Sequence, residues 1–191
     1  MEPDLTTFSP KSPRRLFSRR GILLGGLSVA LAACTQTILE PEVAQSVTIR
    51  RVSVVMTNTA QYSVRELTIS RDRFASDLKT QVERKLGNRF TRNGNAELII
   101  APKRVWLKTP GESLFIGGPS FIDAEVTVRR ISDGATISGP SQFSGMAQQP
   151  RMGGIFGAMG APSAQDDYRL TLEGFADMIN AALFEGGATT Y

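Results

Sequence analysis

The chain of 191 residues contains no histidine, one cysteine and one tryptophan. Without histidine, neither a Ser-His-Asp nor a Cys-His nucleophilic site can be assembled, because imidazole is the base that activates the nucleophile in both. The common zinc sites are excluded as well, since they need several His and Cys ligands. A lone cysteine cannot form a disulfide within the chain. We therefore expect no metal site, no cofactor and little hydrolase chemistry.

The cysteine closes the stretch "SRRGILLGGLSVALAAC", Ser18–Cys34. The basic region comprises Lys11, Arg14, Arg15, Arg19 and Arg20 and ends just before the apolar run. Gly21–Ala33 then contains 13 uncharged residues. This order of charge, apolar run and small residues is that of an export signal. Because a bilayer core requires about 20 helical residues, we expect residues 1–33 to be a cleaved signal peptide.

The quartet Leu31-Ala32-Ala33-Cys34 resembles the lipobox of bacterial lipoproteins. The resemblance implies that the Cys34 thiol receives a diacylglyceryl group and acyl chains such as palmitate, and that cleavage leaves Cys34 as the first mature residue. In that family the next residue influences sorting, and Thr35 resembles the outer-membrane default. The implied location is the periplasmic face of the outer membrane, with the membrane contacted through the Cys34 lipid. An ordinary signal with an incidental cysteine is the alternative.

Two export routes are open. Arg19 and Arg20, within Ser18–Leu23, resemble the twin-arginine motif, although Leu24 stands where that pattern often has lysine. Adjacent arginines are also common in the basic lead of a general secretory signal, so the motif does not decide between the routes.

Removal of residues 1–33 changes the charge. That segment holds five of the 22 Lys and Arg and two of the 18 Asp and Glu, which leaves 17 and 16 in the remaining 158 residues. The basicity of the whole chain therefore belongs mostly to the export signal, and no nucleic-acid partner is expected. A chain of 158 residues suits one domain with a single core.

Residues 34–46 contain polar residues and a proline without periodicity, which predicts a lipid-anchored tether before a domain at 47–187. Residues 47–56 form a predicted strand with a break near Arg50-Arg51, where the apolar parity switches. A helix is predicted over 71–86, because Ser70 can cap it and apolar residues recur every four positions before Gly87. The basic outer face of that helix suggests either a solvated surface or a contact with a partner or anionic lipid.

Further strands are predicted at 96–107, with a distortion at Pro102, and at 121–131. Asp133-Gly134 indicates a tight turn into a partner strand at 135–147. Trp106 is expected in the core rather than at an exposed contact. A last helix begins after Ser163 or Asp166, carries an apolar stripe from Tyr168 to Leu183, and contains Gly174, which suggests close packing there.

These elements predict an α+β fold: an antiparallel sheet of about four strands with two amphipathic helices on one face, in the order β-α-β-β-β-α. At this coarse level the topology is similar to the periplasmic domains of small outer-membrane lipoproteins, including the lipoprotein subunit of the lipopolysaccharide-assembly complex and transporter-auxiliary lipoproteins. No functional residue of those families can be matched here.

Two acidic pairs are candidate sites. Asp123 and Glu125 share one strand face at about 7 Å, a spacing that a glycosidase could use. An alternating exposed strand produces the same pair by default. Asp166-Asp167 indicates the start of a helix rather than a metal site.

Two loops, 111–119 and 149–162, mix glycine with large apolar residues. The candidate contact residues are Leu114, Phe115, Ile116, Met152, Ile155, Phe156 and Met159. Because loops are usually polar, exposed apolar clusters favour binding or membrane contact. Loops folded over the core, or a low-complexity insert, are the alternatives.

The sequence therefore predicts a non-enzymatic, lipid-anchored periplasmic protein that binds an envelope protein or lipid partner. A second hypothesis is a lipid- or glycan-handling protein with an apolar groove. A third, an enzyme that uses carboxylates alone, is disfavoured.

Overall fold

The computed structural model describes residues 35–64, 67–109, 112, 118–147, 162–186 and 188–189. One compact unit spans Cys34–Tyr191. Its strands are β1 (Thr35–Gln36), β2 (Ile49–Val54), β3 (Gln61–Ser63), β4 (Ala96–Trp106), β5 (Phe121–Arg130), β6 (Thr136–Met146) and β7 (Ala188–Thr189). Its helices are α1 (Pro41–Ser46), α2 (Arg71–Leu86) and α3 (Ala164–Phe184). None of the helices in these described ranges is long and apolar enough to cross a membrane.

The α+β class and the two helices on one sheet face are confirmed. The main sheet runs β2-β4-β5-β6, and β3 pairs with the same edge of β4 as β2 does. The apolar stripes of α2 and α3 share one core with alternate residues of β4 and β5. Asp123 and Glu125 lie on the other face of the sheet, as the alternation predicted. None of the helices in the described ranges packs on this face, which is named the helix-free face.

The sheet is mixed, which differs from the predicted antiparallel arrangement. β4, β5 and β6 pair antiparallel, but β2 and β3 pair parallel with β4. The reason is the connection: α2 lies between these strands and β4, and a helical crossover carries the chain back to the end from which it started.

The prediction of a tether at 34–46 is wrong for its described part. Ile38 and Leu39 are buried in the core, and α1 buries Ala44. This segment folds because it supplies apolar side chains at the right positions, and because Pro41 occupies the first turn of α1, where its missing N–H costs nothing. The folded domain therefore begins by Thr35 rather than at Val47.

Several local predictions are confirmed. α2 has the predicted bounds, and the Ser70 side chain accepts a hydrogen bond from the Arg73 N–H. Pairing registers shift at Arg50 in β2 and beside Pro102 in β4, as the parity switch and the proline indicated. The turn at Gly134 leads into β6.

Candidate functional site: the loop end of the sheet

The site residues that the sequence predicts lie outside the described residues. They are Cys34, Arg19, Arg20, Leu114, Phe115, Ile116, Met152, Ile155, Phe156 and Met159. The structure does describe where the chain enters and leaves the two apolar loops. These flanking residues define the candidate site.

Both loops depart from one end of the sheet. Trp106 of β4 pairs with Phe121 of β5, which pairs with Met146 of β6, so three strand ends lie side by side. The first loop connects the end of β4 to the start of β5. The second loop follows β6 and leads to α3. The sequence alone does not reveal that both loops leave the same end of the sheet, because this depends on the register of β4, β5 and β6.

Ser120 joins the flanks of the two loops. Its hydroxyl donates a hydrogen bond of 2.6 Å to the Asp167 carboxylate on α3 and accepts one of 3.0 Å from the Lys108 N–H. The Ser120 carbonyl also accepts a hydrogen bond from the Ala147 N–H. Ser120 and Asp167 are both fully buried. Four chain segments that flank the loops are thus tied at one serine.

Close packing of α3 on β6 fixes the flank of the second loop. A Cβ atom built on Gly174 would lie 2.1 Å from the Met146 carbonyl oxygen and 3.1 Å from the Ala147 Cα. A Cβ on Gly145 would lie 2.6 Å from the Phe175 ring. The close packing predicted at Gly174 is confirmed. Gly174 packs against the end of β6, immediately before the second loop.

The two carboxylates of the acidic pair on the helix-free face form ion pairs with basic side chains. Asp123 accepts a contact of 2.7 Å from Arg104 and a hydrogen bond of 2.6 Å from Ser144. Glu125 forms an ion pair of 2.9 Å with Lys103. Each carboxylate is engaged by a neighbouring basic side chain, so the geometry favours an ordinary exposed strand face.

Asp166 and Asp167 have different roles. Asp166 belongs to the helix start, because the Ser163 side chain accepts a hydrogen bond from its N–H and caps α3. Asp167 points inward to Ser120 instead. The described ranges contain no group of three or more His, Cys, Asp and Glu side chains placed to hold a metal ion.

A second carboxylate, Glu97, is buried on the helix-free face. Arg129 donates to it at 2.7 Å, Ser53 donates at 2.7 Å, and Arg51 lies at 3.8 Å. Burial raises the pKa of Glu97, but the hydrogen bonds and charges of these partners outweigh it, so the pKa is lowered overall. Glu97 therefore ties β2, β4 and β5 as an ionised group. Sequence analysis missed it because it lies in an apolar run.

Trp106 is not a core residue, contrary to the prediction. It is half-buried and lies outside the core cluster, whereas Val105 and Leu107 beside it are buried. The register shift after Pro102 sets this parity and turns Trp106 to the helix-free face opposite Phe121. The Arg104 guanidinium lies 4.7 Å from the centre of the Phe121 ring. The loop end therefore presents aromatic groups beside the loops.

The basic face of α2 is largely neutralised. Acidic partners lie within 4 Å of four of its cations: the pairs are Arg73–Asp77, Lys79–Glu83, Arg84–Glu173 and Lys85–Asp177. Arg71 donates instead to the carbonyls of Thr57 and Ala60. These contacts favour a solvated helix face over a binding surface.

No protein-family model matches the chain, and no curated protein matches it. Among solved structures, it is similar to a crystal structure of a protein from Caulobacter crescentus CB15 that is provisionally described as a lipoprotein. The match covers 69% of this chain and 86% of that one, with 14% identity and a TM-score of 0.36. The resemblance at this level is partial, and no function is transferred from it.

Proposed function

We propose that this protein is a non-enzymatic, lipid-anchored protein of the cell envelope, held on the periplasmic face of the outer membrane through Cys34, which binds an envelope partner through the two apolar loops. The observation that carries the proposal is the shared origin of those loops at one end of the sheet. Trp106 and Met146 are 40 positions apart in sequence, yet both lie at this end of the sheet.

The flanks are held by a buried hydrogen bond and close packing, which suits binding. The Ser120–Asp167 hydrogen bond and the Gly174–Met146 contact fix both ends of each loop to the core. A loop with fixed ends loses less conformational freedom when a partner orders it. Trp106 and Phe121 add partly exposed aromatic area beside the loops, and aromatic groups are enriched in binding surfaces.

A binding role is supported over catalysis by two features. The chain contains no histidine, and Asp123 and Glu125 form ion pairs with Arg104 and Lys103. A catalytic carboxylate must reach a substrate, and here each of the two is engaged by a neighbouring Lys or Arg. These two ion pairs add no support to the hypothesis of an enzyme that uses carboxylates alone.

The experiment is a comparison of co-purifying material. The natively lipidated protein is isolated from membranes by mild detergent extraction, in parallel with a form that begins at Thr35 and is exported without a lipid. A partner bound through the loops is retained by both forms, whereas material held only by co-extracted membrane is lost from the second. If neither form retains any partner, the binding proposal is rejected.

A further inference from the structure

A cavity of about 690 Å³ lies at the end of the sheet opposite the loops. It is open to solvent on one side and is lined by the β5–β6 turn, the start of β2 and the end of α1. Its lining combines two arginines, Arg50 and Arg130, with the hydroxyl-bearing residues Ser46, Ser132 and Thr136. The volume falls within the range of small-ligand pockets.

Arg50 is directed by the irregularity in β2. The register with β4 skips from Ile49 to Arg51, so Arg50 is the extra, bulged residue. Bulges redirect a side chain and are found beside binding sites. Gly94 packs directly against the bulge, since a Cβ atom built there would lie 2.6 Å from the Arg50 backbone nitrogen. Asn95 fixes the same corner by accepting from the Thr48 N–H and donating to the Ser46 carbonyl.

Among the residues that the structure describes, none compensates the charge of Arg50. Its neighbour Arg51 lies near Glu97, and Arg130 pairs with Asp133 at 2.9 Å. In the described part of the chain, the Arg50 guanidinium has neither an ion pair nor a hydrogen bond. An arginine fork beside a second arginine and several hydroxyls matches the chemistry of a phosphate group.

The amino-terminal segment reaches this end of the domain. The Ser138 hydroxyl, one residue from the cavity-lining Ile137, donates to the Ile38 carbonyl. Ile38 is four residues from Cys34, and four residues span at most about 14 Å. A lipid on Cys34 would therefore bring this end, rather than the loop end, to the membrane surface.

We propose that the cavity binds the phosphate of an anionic phospholipid headgroup in the membrane that holds the Cys34 anchor. The orientation rests on the proposed lipid anchor, but binding by the cavity does not require it. A second contact at this end would hold the domain in one orientation, with the loops facing away from the bilayer.

The test uses the chain from residue 34 with Cys34→Ser, which contains the whole described core, after circular dichroism has confirmed that it is folded. Flotation measures its association with vesicles of phosphatidylglycerol and phosphatidylcholine, and with phosphatidylcholine alone. Arg50→Gln is compared with Arg92→Gln, which removes the same charge from an exposed arginine outside the cavity lining. Glycerol phosphate is titrated separately against each form.

We expect association only with the anionic vesicles, a loss of about fivefold or more for Arg50→Gln, the size expected for one basic contact, and less than twofold for Arg92→Gln. Equal losses for both variants would indicate diffuse charge attraction and overturn the proposal, as would no association with anionic vesicles. Arg50-dependent binding of glycerol phosphate without vesicle association would assign the cavity to a free phosphate compound and overturn the lipid claim. Because the tested form carries no lipid, these outcomes are independent of whether Cys34 is acylated.

Discussion

The hydroxyl of Ser120 donates a hydrogen bond of 2.6 Å to the carboxylate of Asp167, and both residues are fully buried. Ser120 follows the first apolar loop and Asp167 lies in the first turn of α3, which follows the second. This one contact therefore sets the separation of the two loop flanks. Loss of a hydrogen bond inside the protein is costly, so the contact also contributes to stability.

Replacing Ser120 by Ala removes that donor. We expect the free energy of unfolding to fall by about 1–3 kcal/mol, because a hydrogen bond to a buried side chain is lost. Ser144→Ala is the matched control, since Ser144 also donates to an aspartate at 2.6 Å, on the partly exposed sheet face. Urea denaturation of both variants measures the difference. Equal losses would show that burial of the Ser120 contact is unimportant.

Gly174→Ala tests the close approach of α3 to β6. Helix propensity alone predicts a gain of about 1 kcal/mol for this substitution. The contact at 2.1 Å with the Met146 carbonyl instead requires a backbone shift, and overpacking of this kind costs about 1–3 kcal/mol. Thermal unfolding decides by its sign. A stabilised variant would show that the added methyl group forces no such shift.

Glu97→Gln tests the buried carboxylate between β2, β4 and β5. The pKa of Glu97 is lowered in the folded protein, so its contribution to stability is present above its ordinary pKa of 4.5 and is lost as the pH falls through the folded value. We expect the variant to lose about 1–3 kcal/mol at pH 7, and to approach the wild type in acid. Glu125→Gln, at a more exposed ion pair, should lose no more than about 1 kcal/mol.

Denaturation of the wild type and both variants across the acid range measures these differences. A Glu97→Gln loss that does not depend on pH would show that the side chain contributes by shape rather than by charge.

The local elements were predictable because their signals are local. The cap at Ser70, the four-residue apolar period of α2 and the alternation in β5 each specify an element without reference to the rest of the chain. The irregularities at Arg50 and Pro102 were also visible, since a parity switch and a proline mark them.

What depended on tertiary pairing was not predictable. The parallel pairing of β2 with β4 follows from the crossover through α2, and the inward position of Asp167 follows from its meeting with Ser120. Ile38 and Leu39 resembled a linker because two apolar residues have no period. For the candidate site, the loop composition was visible in the sequence, but the shared origin of the loops required the register of β4, β5 and β6.

Replacing Phe115 and Phe156 together by Ser separates the roles of the loops. Each ring contributes about 1.5–3 kcal/mol if a partner buries it fully. We expect the double variant to retain its melting temperature and to lose the co-purifying partner. A marked fall in melting temperature would assign the rings to the core. Retention of both stability and partner would show that the loops are inert connections.

The lipid anchor is tested most directly by metabolic labelling with a fatty-acid analogue, comparing the wild type with Cys34→Ala. Several acyl chains hold a protein on a bilayer, because each buried methylene contributes about 0.8 kcal/mol. We expect the wild type to carry the label in the membrane fraction, and the alanine variant to carry none and to be either unprocessed or released. Label retained by the alanine variant, or an unlabelled wild type, would show that Cys34 is not a lipid anchor.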